Sequence, residues 1–142
     1  MTNLYAFAQS NGIAVLHDNI PTPRLKALYC EDEAGGATII LDHSLSSSAV
    51  RERCVLAEEI GHYYTAQGTA LTKAIKTERD RSQIRRNEHR AARWAATKLI
   101  PLGKFLDALI SGIEQPHELA EHFGVTEEYI RMRYRVWEIT GR

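Results

Sequence analysis

The stretch Val55-Leu56-Ala57-Glu58-Glu59-Ile60-Gly61-His62-Tyr63 decides how this chain is read. It lies inside a run from Ala49 to about Ala66 in which Val50, Cys54, Val55, Ala57, Ile60 and Tyr64 recur at helical spacing. On such a helix Glu58 and His62 are one turn apart and face the same way, so they can hold one ion together. Glu59 is offset by about 100° but stays on the same side. Its carboxylate can reach water beside the ion without binding the ion itself, which is the geometry of an HExxH motif with glutamate in the first position. Spacing alone leaves the bland alternative open, a solvated helix face carrying two glutamates. Gly61 argues against it. Glycine inside a helix costs about 1 kcal/mol relative to alanine, and a tolerated cost of that kind implies close approach by another element.

The next strong helical pattern runs from about Arg81 to Leu99 and supplies that element. It carries Glu88 followed by Ala91, Ala92, Ala95 and Ala96, small residues that let two helices pack tightly and bring Glu88 to the site. A carboxylate from a following helix completes a three-ligand set and leaves a fourth position for water. The competing reading pairs Glu88 with one of its many arginine neighbours. From Thr72 to Lys98 nine basic residues face three acidic ones, a run that is ordinarily a solvated face and can also guide an acidic substrate. Trp94, Ala95 and Leu99 read as core, and His89 as exposed.

Working outward, the N-terminal part reads as a short helix over the first ten residues, then strands at Ile13–His17, Leu25–Cys30 and Thr38–Leu41, with Asn11-Gly12 and Gly35-Gly36 as turns. Short connections predict a small antiparallel sheet. Ser46, Ser47 and Ser48 are candidate N-caps for the Glu58 helix, and Gln67-Gly68 its end. Pro101 ends the Glu88 helix. Further helices are predicted over Leu102–Ile110, Pro116–Phe123 and Thr126 to about Glu138, with breaks at Ser111-Gly112 and Gly124.

The chain has 142 residues, 44% hydrophobic and 25% charged, with 18 basic residues balancing 18 acidic ones. These values fit one globular domain and give no global argument for a nucleic-acid or membrane partner. The expected organisation is a single domain, 1–142, with a catalytic core at 1–111 and a helical subregion at 112–142. Cys30 and Cys54 match no metal-ligand spacing; Cys54 reads as a buried thiol and a disulfide is not expected. The N-terminus carries no signal-peptide pattern and no segment approaches a membrane span, so the expected compartment is the cytoplasm.

The two motifs together resemble the ImmA/IrrE-type metallopeptidase family, which reads roughly L-A-H-E-x-G-H and then E-x-x-A-x-x-F-A-x-x-L-x-x-P. The second motif corresponds here to Glu88-His89-Arg90-Ala91-Ala92-Arg93-Trp94-Ala95-Ala96-Thr97-Lys98-Leu99-Ile100-Pro101, with Trp94 in place of phenylalanine. The resemblance spans roughly Thr38 to Arg135. It implies an α+β, zincin-like fold: a small antiparallel three-stranded sheet on an active-site helix and a second ligand helix, plus C-terminal helices. It implies Glu58, His62 and Glu88 as metal ligands, Glu59 as general base, and Zn2+ as the ion. Glu58 stands where the family has histidine, and the added carboxylate moves preference toward harder ions such as Mn2+. Tyr63, Tyr64 and His43 are the candidates for an oxyanion donor. The resemblance further implies a protein of a phage or mobile element whose protein substrate is a helix-turn-helix repressor. A related reading keeps the fold and the partner but replaces cutting with gripping.

A reading from another class rests on Ala120, Gly124 and Ile130, spaced as in a helix-turn-helix. Arg131, Arg133 and Arg135 would then meet DNA. Four basic residues against five acidic ones over Gln115–Arg142, with Glu127 and Glu128 opening the second helix, make direct nucleic-acid binding an unfavourable expectation.

Overall fold

The computed structural model describes residues 3–31, 34, 36–65 and 78–142, with side chains from 85 onward in the last stretch. Its elements are helix α1 (Leu4–Ser10), strands β1 (Ile13–Asp18), β2 (Ala27–Glu31) and β3 (Ala37–Asp42), a 3-10 turn (His43–Ser47), and helices α2 (Ala49–Thr65), α3 (Glu78–Leu99), α4 (Leu102–Ile110), α5 (Pro116–Phe123) and α6 (Glu127–Thr140). The α+β class is as expected. The ends expected at Gln67-Gly68 and Gly35-Gly36 fall wholly or partly outside the described residues. The Glu88 helix starts at Glu78, three residues before the position its apolar pattern marks.

The sheet departs from the expected antiparallel arrangement. Its order is β1-β3-β2, with β2 antiparallel to β3 and β1 parallel to it. The cause lies in the connection from Asn19 to Lys26. It rounds the end of β3, tied there by the Ile20 amide donating to Asp42 Oδ1 at 2.9 Å and the Asp42 amide donating to the Lys26 carbonyl at 2.8 Å. β1 and β2 are thus a wide hairpin with an open slot, and β3 fills the slot. In the central strand Ala37, Ile39 and Leu41 are buried in alternation, the period of a strand with one covered face.

Helix α2 covers that face. Ser48 Oγ accepts the Arg51 amide at 3.3 Å at its start, and Cys54, Leu56, Ala57 and Ile60 enter the core. Helix α3 lies along α2. The close approach anticipated at Gly61 is real: a Cβ there would sit 2.6 Å from the Ala91 carbonyl oxygen. Ala91, Ala95 and Ala96 are fully buried in this seam, while Trp94 packs partly buried beside it.

The C-terminal helices share the same core. One buried cluster runs from Leu4 through Ile39, Leu56 and Phe105 to Ile130; each large apolar side chain so enclosed contributes about 1.5–3 kcal/mol. Gly124, in the left-handed region at φ 66°, closes α5 and turns the chain into α6. Arg133, one of the three arginines of the disfavoured DNA-facing alternative, is 2% exposed. Its Nε donates to the Ile100 carbonyl at 2.6 Å and Nη1 to the Arg142 carbonyl at 2.9 Å. Cys54 is buried, Cys30 exposed, and both are free thiols. Among the described residues no helix is long and apolar enough to cross a membrane.

Candidate metal centre

Helices α2 and α3 bring two of the expected ligands together. His62 Nε2 stands 3.3 Å from Glu88 Oε1. His62 is buried at 4% exposure, whereas the Glu88 side chain is 55% exposed. The imidazole is therefore fixed by packing, and the carboxylate lies on the solvent side of the site. His62 Nδ1 is buried and makes no hydrogen bond to the described residues. The Gly61–Ala91 contact explains the pairing: without a side chain at Gly61 the α3 backbone comes close enough for Glu88 to reach the ring one residue further along α2.

Glu58 lies one turn before His62 and is half-buried. Its Oε2 accepts a hydrogen bond from the Tyr129 hydroxyl at 3.0 Å. Tyr129 belongs to α6, so the helical C-terminal region reaches directly into the site. A groove of about 440 Å³ runs beside Glu58, with Val50, Val55, Thr126 and Glu128 in its walls. Sequence reasoning missed Tyr129. The only trace was its place beside Ile130 on the covered face of α6, and nothing in spacing ties it to a glutamate 71 positions earlier.

The electrostatics follow from burial and crowding of like charge. Burial raises the pKa of Glu58, helped by Glu88 and Glu128, while the Tyr129 hydrogen bond and His62 work against the rise. Glu59 is pushed up to about 7, first by burial and then by the Glu88 and Glu58 charges, with His62 opposing. For His62, burial disfavours the charged ring, but the Glu88 hydrogen bond and the charges of Glu88, Glu59 and Glu58 outweigh it and raise its pKa. Burial and the Glu58 carboxylate also push the Tyr129 phenol upward.

Two of the expected donors, His62 and Glu88, stand as they would on one divalent cation; the third is not brought to them. Three carboxylates crowd one imidazole in a partly dry setting, and the excess negative charge is what a cation would neutralise. The 3.3 Å between His62 Nε2 and Glu88 Oε1 matches the separation of about 3.3–3.5 Å between neighbouring ligands on one tetrahedral ion. Glu58 is turned to Tyr129, and among the described residues no three His, Cys, Asp or Glu side chains converge tightly enough to hold an ion.

The rings of the three oxyanion candidates make aromatic contacts that leave their hydroxyl and N–H donors unengaged by the described residues. Tyr63 and Tyr64 meet edge-to-face, and Tyr64 stacks on Trp94 at 5.3 Å. His43 stacks on His17, beside Glu52 and Tyr5. None of the three hydrogen-bonds Glu58, Glu59, His62 or Glu88 among the described residues.

The model of the IrrE N-terminal-like domain, a peptidase family, matches residues 8–135. The chain belongs to that family, and the match extends the resemblance read from the two motifs back through the sheet to α1. No curated protein and no solved structure matches the chain.

Proposed function

We propose that the protein is a metal-dependent endopeptidase of a phage or mobile element, acting in the cytoplasm on a helix-turn-helix transcriptional repressor. Membership of a peptidase family supports the reaction class. The repressor comes from the ImmA/IrrE resemblance of the two motifs. The single observation that carries the reading at this site is geometric: His62 Nε2 and Glu88 Oε1, from two different helices, stand 3.3 Å apart, with Glu59 half-buried on the same helix as His62. A general base at that position needs a carboxylate within reach of the water it deprotonates.

His62 and Glu88 would hold the ion, with Glu58 as the third ligand. When bound, the ion, Zn2+ in the first instance and Mn2+ as the harder alternative, supplies Lewis acidity toward the scissile carbonyl and the attacking water. Glu59 takes the proton of that water and returns it to the leaving amine. Glu88, the most exposed of the four, leaves an open side for substrate, and the groove beside Glu58 would receive residues flanking the scissile bond. With Arg133 buried, Arg131 and Arg135 are what remains of the proposed DNA-facing arginines, and Arg131 is paired with Glu127 at 3.1 Å. A protein partner is therefore favoured over nucleic acid.

The Glu58–Tyr129 hydrogen bond favours a second reading, a relative that binds the repressor without cutting it. Metal analysis and one variant separate the two. Protein purified without chelator should carry about one transition ion per chain, lost in Glu88→Ala and His62→Ala. Glu59→Gln should lower repressor cleavage by about 10²–10⁴-fold and leave repressor binding unchanged. No metal after zinc or manganese supplementation, with repressor binding intact, would replace cutting by gripping.

A further inference from the structure

On the far side of α2 from the glutamates lies a cavity of about 410 Å³ between α2, α4 and α5. That volume is within the usual range of small-molecule sites, about 300–1,000 Å³. Arg53 lines it. Five residues before Glu58, Arg53 projects about 140° away round the helix, so the cavity and the metal centre use different faces of α2.

Arg53 is a half-buried cation that the proposed chemistry does not use. Its Nη1 donates to the Phe123 carbonyl at 2.6 Å and to the Gly124 carbonyl at 3.1 Å, capping the end of α5. Those two bonds fix the guanidinium plane while engaging one nitrogen. The Nε and Nη2 donors make no hydrogen bond to the described residues, and no carboxylate among them lies within ion-pair distance. Burial disfavours the charge. A guanidinium held in place with its Nε–Nη2 edge unused is a planar pair of donors, the arrangement that takes a carboxylate in a bidentate manner.

The rest of the cavity narrows the ligand. Lys104 and His122 add positive or neutral donors, while Asp107 sets one negative charge in the wall. A monoanion is compatible with that wall; a second negative charge would meet Asp107. The floor is apolar: Leu99, Ala108 and Phe123 line the cavity and are otherwise buried. An inorganic anion would gain nothing from that floor.

We propose that this cavity binds a single carboxylate carried on an apolar body, the carboxylate on the Nε–Nη2 edge of Arg53 and the apolar body over Leu99, Ala108 and Phe123. Two sources carry such a group, a free organic acid and the C-terminal residue of a polypeptide. Neither the metal ion nor peptide cleavage enters this inference.

Calorimetric titration of the full chain tests it with four probes: hexanoate, phenylpropionate, a tetrapeptide ending in leucine, and the same tetrapeptide amidated. At least one carboxylate probe should bind saturably. A hexanoate or phenylpropionate response identifies the free-acid source, and a response to the tetrapeptide but not its amide identifies the chain end. Arg53→Gln should weaken binding about ten- to hundredfold. Ser111→Trp, at an exposed position in the cavity wall, should abolish it without touching the Arg53 cap of α5 and so serves if Arg53→Gln does not fold. Absence of saturable binding by every probe would overturn the proposal, as would saturable binding of the tetrapeptide and its amide with equal affinity, or unchanged affinity in Ser111→Trp.

Discussion

At the residue scale, the chemistry of the site begins with where Glu59 sits. A carboxylate that is half-buried among two others holds its proton until about pH 7, against an ordinary value of 4.5. The metal-free fold therefore binds this proton more tightly than the unfolded chain. The linked contribution to stability is fully present below about pH 4.5 and is lost as pH rises through 7. Glu59→Gln removes the penalty only where Glu59 would be charged. The metal-free variant should melt with the wild type at pH 4 and be more stable than it at pH 8, by on the order of 2 kcal/mol. Thermal unfolding in chelator at the two pH values measures this; equal melting temperatures at pH 8 would mean that Glu59 titrates as an exposed carboxylate. The candidacy of Glu58, Glu59 and His62 was legible in the sequence because i and i+4 on a helix is a local rule. The partnership of Glu58 with Tyr129 was not, because it depends on how two distant helices pack. The burial of Arg133 was not legible for a similar reason: arginine is usually exposed, and only the tertiary structure places two backbone carbonyls where its donors need them.

At the element scale, the seam between α2 and α3 sets the site. Gly61→Ala gains about 1 kcal/mol of helix propensity but drives a methyl to 2.6 Å from the Ala91 carbonyl oxygen. The backbone must shift, and overpacking of that kind costs about 1–3 kcal/mol. The expected net result is a lower melting temperature with helical content retained, read by circular dichroism; a melting temperature raised by the substitution would mean the seam is loose. This contact was legible, since a glycine within a helix, followed by an alanine-rich helix, points to two backbones in touch. Helix ends at Pro101, Pro116 and Gly124 were legible for the same local reason. The parallel pairing of β1 was not. Alternation of apolar residues says that a segment is a strand, but the slot left between β1 and β2 is set by the course of the Asn19–Lys26 connection, which carries no periodic signal.

At the scale of the whole molecule, α5 and α6 are less an appendage than part of the core. Leu119, Ile130 and Tyr129 join the same buried cluster as Ile39 and Leu56, and Arg133 ties α6 to the end of α3. Single-tryptophan variants, Trp94→Phe and Trp137→Phe, should report coincident urea transitions, and a chain ending at residue 111 should not unfold cooperatively. Separate transitions would divide the molecule at the boundary the sequence marks near Gly112. The family match covers both sides of that boundary, from residue 8 to residue 135.

The backbone-to-backbone contact of Gly61 with Ala91 has a consequence for what the chain may change. His62 and Glu88 belong to different helices, yet their mutual placement is fixed at this crossing, one residue from His62 and three from Glu88. A substitution at the crossing therefore acts on both members of the pair at once while touching neither, and one methyl group there is enough to part them.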